Sequence, residues 1–377
     1  MFLFITPDLV EQRIEEFMEI AADIPGEYWE RQHYLHSLPG KWDFSIAEED
    51  ERTGDLLSFL IASQKDVSVH IHKLAVRKEF RSKGIGLRLL RKFEQRIRSH
   101  ATKRIISLYV DKGNERAIRF YSNNGYTFSE AKESMNLYIK KLEYTVAIHQ
   151  PNFLPWLGYF HKIAHCDHFI FLDHVNNNPG AALYTKRVSI VCNSEAHWLT
   201  IPLEKSTDGP FQPIYRMRIA SRIPFAEKQL RTVEMNYSKA PYFRDFFSLY
   251  SKYYIHQSDL VAERNKDLIL AICESIGLPF SYSVSSAMGF TSTSNELLIE
   301  LIKSVGGTQY LHGSYAVSER GYQQNDLFEK EGIKLLPQQF THPEYRQINN
   351  KSHFIPGTTI LDALMNVGAS DVLNFIT

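Results

Sequence analysis

Cysteine is scarce in this chain of 377 residues, which carries three: Cys166, Cys192 and Cys273. An odd, widely spaced set without a CxxC pair excludes a disulfide framework and a cysteine-built metal site, and predicts a reducing, cytoplasmic setting. Net charge is missing as well. The 43 Lys and Arg balance 43 Asp and Glu, which argues against a general nucleic-acid coat and predicts no nucleic-acid partner. No apolar run approaches the roughly 18 residues of a membrane span. Met1 to Asp8 lacks the basic, apolar and small-residue order of a secretory signal. Internal repeats, low-complexity tracts and a Gly/Ser/Pro linker are absent too.

What is present suits a soluble protein of two domains. Hydrophobic residues make up 44% and aromatics 13%, enough to bury a core in each half without staples. The pattern divides near residue 144 into segments 1–144 and 145–377. In the first, strands are expected at Phe2–Thr6, Trp42–Ala47, Leu56–Ser63, Val67–Val76 and Ile105–Val110, with helices from Pro7, Gly86 and Asn114. His70, His72, Leu74 and Val76 are expected on one strand face by simple alternation. Leu87, Leu90, Phe93 and Ile97 mark the apolar face of the second helix. The second segment opens with a strand at Thr145–His149 and is mainly helical from Pro224 to Val305. The fold class is α/β (α+β) in both.

Neutrality conceals one basic strip. Lys73 to Arg104 holds twelve Lys or Arg against Glu79 and Glu94. Within it, the strand ending Leu74-Ala75-Val76 runs into Arg81-Ser82-Lys83-Gly84-Ile85-Gly86, and a helix follows at once. Two glycines before a helix let backbone N–H groups converge on an anion, and the helix start adds partial positive charge. The missing Gly-Lys-Ser/Thr ending excludes a Walker loop, and the lack of a third glycine at the required spacing excludes a dinucleotide fingerprint.

Arg81-x-x-Gly84-x-Gly86, followed by Asn114-x-x-Ala117-x-x-x-Tyr121-x-x-x-Gly125, closely resembles the GNAT acyltransferase superfamily over roughly residues 1–142. The resemblance implies a mixed, twisted central sheet flanked by helices. It implies acetyl-coenzyme A, or another acyl-coenzyme A, as cofactor. The loop Arg81, Ser82, Lys83, Gly84, Ile85 and Gly86 would hold the pyrophosphate. Leu74 and Val76 would pair with the pantetheine arm, and Asn114 would contact the cofactor near it. Tyr121 matches the family's usual general acid. Many members carry a Glu base on the strand that ends at Val76; here that strand has none, and His72 or His70 is the substitute, since imidazole titrates near neutrality.

The second segment carries a different signature. Ile148-His149-Gln150-Pro151-Asn152-Phe153-Leu154-Pro155-Trp156-Leu157-Gly158-Tyr159-Phe160-His161-Lys162 opens it. Phe171-Leu172-Asp173, Lys186-Arg187, Trp198-Leu199-Thr200-Ile201-Pro202, Tyr310-Leu311-His312-Gly313 and His342-Pro343-x-Tyr345-x-Gln347 follow. In this order they resemble the WbqC-like family over nearly all of residues 145–377, a family encoded with O-antigen and other surface-glycan genes. Polar side chains at a strand's carboxyl end are well placed for a site. His149 is a candidate acid or base, with Asp173 to orient it or to bind a substrate amine. Gln150, Lys162, Lys186 and Arg187 are candidates for a diphosphate or carboxylate, and Trp198 and Tyr345 for stacking. Together the segments predict an N-acyltransferase acting on a small-molecule amine, a nucleotide-linked amino sugar or its aminoacyl derivative, with residues 145–377 binding or modifying that acceptor. Two alternatives stay open: a second segment that only recognises carbohydrate or protein, and a peptide amine as acceptor.

Overall fold

The computed structural model describes residues 1–22, 24, 28–100, 104–176, 183–206, 211–220, 224–313, 325–348, 350 and 353–377. The chain divides into two compact units, Met1–Glu143 and Tyr144–Thr377.

The N-terminal unit runs β1 (Phe2–Phe4), α1 (Pro7–Ala21), α2 (Arg31–Leu35), α3 (Lys41–Phe44), β2 (Ile46–Glu49), β3 (Leu56–Lys65), β4 (Ser68–Val76), α4 (Ile85–His100), β5 (Ile105–Asp111), α5 (Glu115–Asn123), β6 (Thr127–Ala131) and β7 (Met135–Lys141). Local signals start the helices. The Thr6 hydroxyl accepts the Leu9 N–H at 3.2 Å, with Pro7 at the first helical position. The strand expected from Trp42 is interrupted: Lys41–Phe44 forms a helical turn, entered through Gly40 at φ +66°. Buried Lys41 anchors this turn by donating to the carbonyls of Tyr34 (2.7 Å) and His36 (2.6 Å).

The sheet order is β1-β2-β3-β4-β5-β7-β6, antiparallel except for β4 against β5. Both faces are covered. Leu60, Ala62, Val69 and Ile71 pack with Leu89, Phe93 and Ile97 of α4, while Phe59, Ile61 and Ala75 pack with Val10, Ile14 and Phe17 of α1. Two irregularities in β4 matter for function. First, Ala62 pairs with Ile71 and Ile61 with Lys73, so His72 is an extra, bulged residue. The bulge reverses the alternation: His70 shares the α1 face with Lys73 and Ala75, opposite Leu74 and Val76, and the single expected face does not exist. Second, β4 pairs with β5 only through Val69, His70 and Ile71. Beyond Leu108, β5 continues against β7 alone, so the carboxyl half of β4 leaves it and a gap opens between the two parallel strands.

The C-terminal unit runs β8 (Thr145–His149), α6 (Leu157–Ala164), β9 (His168–Phe171), α7 (Leu183–Lys186), β10 (Arg187–Cys192), β11 (Glu195–Thr200), α8 (Phe225–Tyr237), α9 (Phe243–Lys252), α10 (Val261–Ser275), β12 (Tyr282–Val284), α11 (Ser294–Ser304), β13 (Gln309–His312), α12 (Asn325–Lys330), β14 (Lys334–Pro337) and α13 (Ile360–Ile376). β10 and β11 form a separate antiparallel hairpin. The other five strands make a parallel sheet of order β12-β9-β8-β13-β14. Its central strands are apolar on both faces, as a doubly covered parallel sheet requires. The chain moves outward from β8 through β9 to β12, then crosses back to lay β13 on the other side of β8. This reversal is a doubly wound topology with its switch point between β8 and β13. No helix among the described residues is long and apolar enough to cross a membrane.

Candidate active site

The gap beside β4 widens into a cleft of about 550 Å³. Leu74 and Val76 form one wall, Arg81, Ser82, Gly84, Ile85, Gly86 and Leu87 the floor, and Asn114, Arg116, Phe120 and Tyr121 of the α5 region the other wall. The loop is bent by left-handed backbone at Ser82 (φ +62°) and Gly84 (φ +80°). Arg81 Nε donates to the Val76 carbonyl at 2.8 Å, tying the loop to the end of β4. The first α4 hydrogen bond is Arg88 N–H to Gly84 O. The amides of Ile85, Gly86 and Leu87 therefore have no intrahelical acceptor and stand at the cleft floor. Among the described residues, two guanidinium groups and no carboxylate line the cleft. Leu87, expected on the buried face of α4, turns to this cleft, and Leu89 takes its place in the core. Lys83 is not among the lining residues; its ammonium sits over the Phe80 ring, 5.1 Å from the centroid.

On the opposite wall, Asn114 caps α5, its Oδ1 accepting the Ala117 N–H at 3.0 Å. Tyr121 is 8% exposed, edge-on to Phe120 at 5.2 Å and to Tyr126 at 5.4 Å. Tyr126 is fixed in turn by donating to Glu94 at 3.1 Å. The sequence reading missed Arg116, which lies inside the quoted motif; its guanidinium donates to Ser82 Oγ at 3.3 Å, joining this wall to the floor.

His72 does not open onto this cleft. It lines a second cavity of about 290 Å³ with Trp29, Gln32, His33, His36, Lys41 and others. Its Nε2 lies 2.7 Å from Ser63 Oγ, its ring 5.0 Å from His70, and His70 Nδ1 is 2.9 Å from Ser107 Oγ. Burial, then nearby Lys41 and Lys65, lowers the His72 pKa to about 4; burial, then His72 and Lys65, lowers that of His70 to about 4. Both rings are neutral near pH 7. Because the unfolded chain binds these protons near pH 6.5 and the folded one only near 4, stability is fully present above pH 6.5 and is lost as pH falls toward 4. Denaturation midpoints are expected to drop between pH 7 and pH 5, and to drop less in a His70→Gln, His72→Gln double variant.

In the C-terminal unit the expected residues do not form one constellation. Asp173 is 5% exposed and held by Ser285 Oγ (3.0 Å), Ser286 N–H (2.9 Å) and Ser286 Oγ (2.8 Å). It therefore serves the turn at Ser285–Ala287 and does not orient His149. The His149 Nδ1 is 3.2 Å from the Gln150 carbonyl, and its ring lies 4.8 Å from Tyr159. Burial, then the Lys162 charge, lowers the His149 pKa to about 3. Arg187 and Trp198 do meet, on the hairpin, with the guanidinium 4.4 Å from the indole centroid. Lys186 ends α7, next to them in sequence. Tyr345 lies elsewhere, donating to buried Asp362 at 2.7 Å and packed on Phe354 at 5.0 Å, a structural use of a ring expected to stack on substrate. Burial pushes the Cys166 and Cys273 thiols up to about 12, so neither is an active nucleophile.

Residues 150–373 match the family model described as WbqC-like protein family. The chain belongs to the WbqC-like protein family. Residues 8–126 match the acetyltransferase (GNAT) family. This WbqC-like protein thus carries a GNAT domain and is an N-acetyltransferase that uses acetyl-coenzyme A. An uncharacterized protein of Mycobacterium tuberculosis is 29% identical over 231 residues, covering 59% of this chain and 94% of its own. Among solved structures, the PaiA N-acetyltransferase of Thermoplasma acidophilum in complex with coenzyme A is 18% identical, covering 38% of this chain and 98% of that chain at a TM-score of 0.31. The ribosomal-protein-S18-alanine N-acetyltransferase of Escherichia coli is 12% identical, covering 37% and 92% at 0.33.

The cleft of this WbqC-like protein fits the cofactor on its own geometry. A Cβ added at Gly86 would meet Val76 Cγ2 at 3.5 Å, Leu74 Cδ2 at 3.8 Å and Phe120 Cζ at 3.8 Å, so the bare glycine leaves a channel between the walls. An apolar channel ending in helix-start amides and guanidinium groups suits a chain with an apolar arm and a polyphosphate end.

Proposed function

We propose that the chain transfers an acetyl group, or another short acyl group, to the amine of a nucleotide-linked amino sugar or its aminoacyl derivative, in O-antigen or related lipopolysaccharide biosynthesis in the cytoplasm. Residues 1–144 carry the acyl transfer, and residues 145–377 bind or modify the acceptor. The cleft between β4 and α5, open beside an unsubstituted Gly86, carries this reading. Bound acetyl-coenzyme A supplies a thioester carbonyl open to attack by an amine.

The protein's own groups then have distinct tasks. Arg81, Arg116 and the amides of Ser82 to Leu87 pair with the phosphates. The edge of β4 at Leu74 and Val76, which β5 leaves uncovered, takes the pantetheine amides, and Asn114 closes over the same arm. The departing thiolate, with an ordinary pKa of ~8.5, takes a proton from the Tyr121 hydroxyl. The acceptor amine, read to enter from the second cavity and not through the cofactor cleft, loses its proton on that side, where the neutral His72 imidazole coupled to Ser63 stands.

The acceptor class is supported by the second cavity. An indole, three imidazoles, an amide and the Lys41 side chain line it, with no carboxylate among the described residues. That lining suits a hydroxyl-bearing ring stacked on Trp29 better than a cationic peptide end. The doubly wound topology of residues 145–377 is suited to the nucleotide portion. Thiol release from acetyl-coenzyme A by the whole chain, measured against a panel of nucleotide amino sugars and a panel of peptides, tests the assignment. Turnover is expected with at least one sugar nucleotide; turnover confined to peptides would refute the sugar reading.

A further inference from the structure

Two adjoining cavities of the C-terminal unit carry opposite charge. The first, of about 180 Å³, opens at the carboxyl edge of the parallel sheet. Phe171 ends β9, Val284 ends β12 and Pro151 lies just past the end of β8, and all three line it. These strands are neighbours in the sheet. The cavity therefore spans three adjacent strand ends, on the edge where parallel α/β sheets hold their ligands. The first turn of α10 adds Ala262 and Glu263 to the lining.

The polar part of this lining is acidic. Asp173 is buried, with Oδ1 accepting from Ser285 Oγ and the Ser286 N–H. Its Oδ2 accepts from Ser286 Oγ alone among the described residues, and a carboxylate oxygen has room for a second donor. Glu263 supplies another carboxylate. Lys266 also lines the cavity, but its ammonium is matched from outside the lining by Asp267 Oδ1 at 3.2 Å.

The second cavity, of about 470 Å³, is basic: Lys205, Arg216 and Arg218 line it against Glu204. Tyr215 and Leu260 belong to both linings and so form a shared wall. The Arg216 guanidinium lies over the Tyr215 ring, 5.5 Å from its centroid, which puts a cation on the wall itself. Backbone contacts fix the wall. The Tyr215 N–H donates to the Asp173 carbonyl at 2.9 Å, and Arg218 pairs with Leu260 in an antiparallel bridge. If these opposite charges served stability, they would pair across the wall. The ion pairs nearby are instead Arg264 with Asp259 and Lys266 with Asp267, and among the described residues none joins the two sets.

We propose that the two cavities form one bipartite site for an amine-bearing phosphate ester. The ammonium group lies against Asp173 and Glu263, and the phosphoryl oxygens against Arg216, Arg218 and Lys205. The ammonium donates to the open Asp173 Oδ2, and the guanidinium groups offer paired donors to phosphoryl oxygens. The connecting part of the ligand passes over Tyr215. A site that holds the free amine handles the acceptor before it is acylated, because an amide carries no charge for Asp173. This deepens the acceptor-binding role of residues 145–377 and rests on that reading only for the biological ligand. The test reads binding, so a failed acyl-transfer assay and a failed site are separable.

The experiment is isothermal titration calorimetry of the full chain with saturating coenzyme A present, which keeps the cofactor cleft occupied. One arm compares UDP-glucosamine with UDP-glucose, in which a hydroxyl replaces the amine. The other compares glucosamine 1-phosphate with glucose 1-phosphate. In at least one arm the amine probe is expected to bind at roughly millimolar affinity or better, and roughly tenfold tighter than its hydroxyl counterpart. The arm that responds tells a diphosphate from a monophosphate ester. Asp173→Asn should abolish the amine preference. An Arg216→Gln, Arg218→Gln double variant should weaken both members of the pair roughly tenfold and keep the preference. Should Asp173→Asn fail to fold, Glu263→Gln, an exposed change, must reduce the preference. No binding of either amine probe, equal affinity for amine and hydroxyl, or an arginine variant without effect would overturn the proposal.

Discussion

Gly86→Leu is expected to raise the Michaelis constant for acetyl-coenzyme A roughly 100-fold, equivalent to about 2.7 kcal/mol of lost binding, without lowering the melting temperature. The two halves of this expectation have different origins. Gly86 sits in the first turn of α4 with ordinary helical backbone, since its φ is not in the left-handed region. A leucine there is compatible with the helix and, on propensity, favours it by about 0.5–1 kcal/mol over glycine. Its Cβ would meet Val76, Leu74 and Phe120 only at ordinary contact distances of 3.5–3.8 Å. The rest of the side chain has one direction to go, into the cleft between β4 and α5. Gly84 is the opposite case, with φ +80° and open space around it; a side chain there strains backbone and fills nothing. Thiol-release kinetics and thermal unfolding of Gly86→Leu decide between the two roles of glycine. An unchanged Michaelis constant would remove the cleft as the cofactor site, and a large drop in stability would make Gly86 a packing residue.

The parts legible in the sequence are those whose cause is local. The Gly84 and Gly86 loop, the Asn114 cap and the Pro7 helix start depend on a few neighbouring residues, and the structure forms them where the spacing places them. The β4 bulge was illegible because it exists only relative to β3: nothing within Val67–Val76 distinguishes His72 as the extra residue. One inserted residue reverses every face beyond it, which is why His70 and Leu74 separate. The pairing of Asp173 with Ser285 and Ser286 joins residues more than a hundred positions apart, so nothing local to Asp173 separated it from the role of orienting His149. Of the parallel sheet, β8 was readable at Thr145–His149, whereas β12 lies inside Pro224 to Val305, read as mainly helical; the strand order, and with it the switch point, is set by crossovers that leave no periodic signal.

Tyr121→Phe is expected to lower turnover by roughly 100-fold, the lower range for loss of a positioned proton donor, with the Michaelis constant for acetyl-coenzyme A changing less than about 2-fold on the scale of one lost neutral hydrogen bond. The substitution removes one oxygen and keeps the ring. The ring is held edge-on by Phe120 and Tyr126, and Tyr126 is itself anchored to Glu94, which accepts from Lys140 at 2.8 Å. This frame orients the ring of either residue, so the cleft should keep its shape. Binding draws on the β4 backbone, the loop amides and the guanidinium groups, none of which the change touches. What is lost is a proton source beside the thiolate at the moment the carbon–sulfur bond breaks. A phenolic hydroxyl is a donor able to share its proton with a developing thiolate. The separation of turnover from affinity distinguishes this role from a structural one, for which melting temperature and Michaelis constant would move and turnover would not. Replacing the natural thioester by one with a more acidic thiol leaving group supplies the internal control: the deficit of Tyr121→Phe should shrink as the leaving group needs less protonation, and a deficit independent of leaving group would take the proton-donor role away from Tyr121.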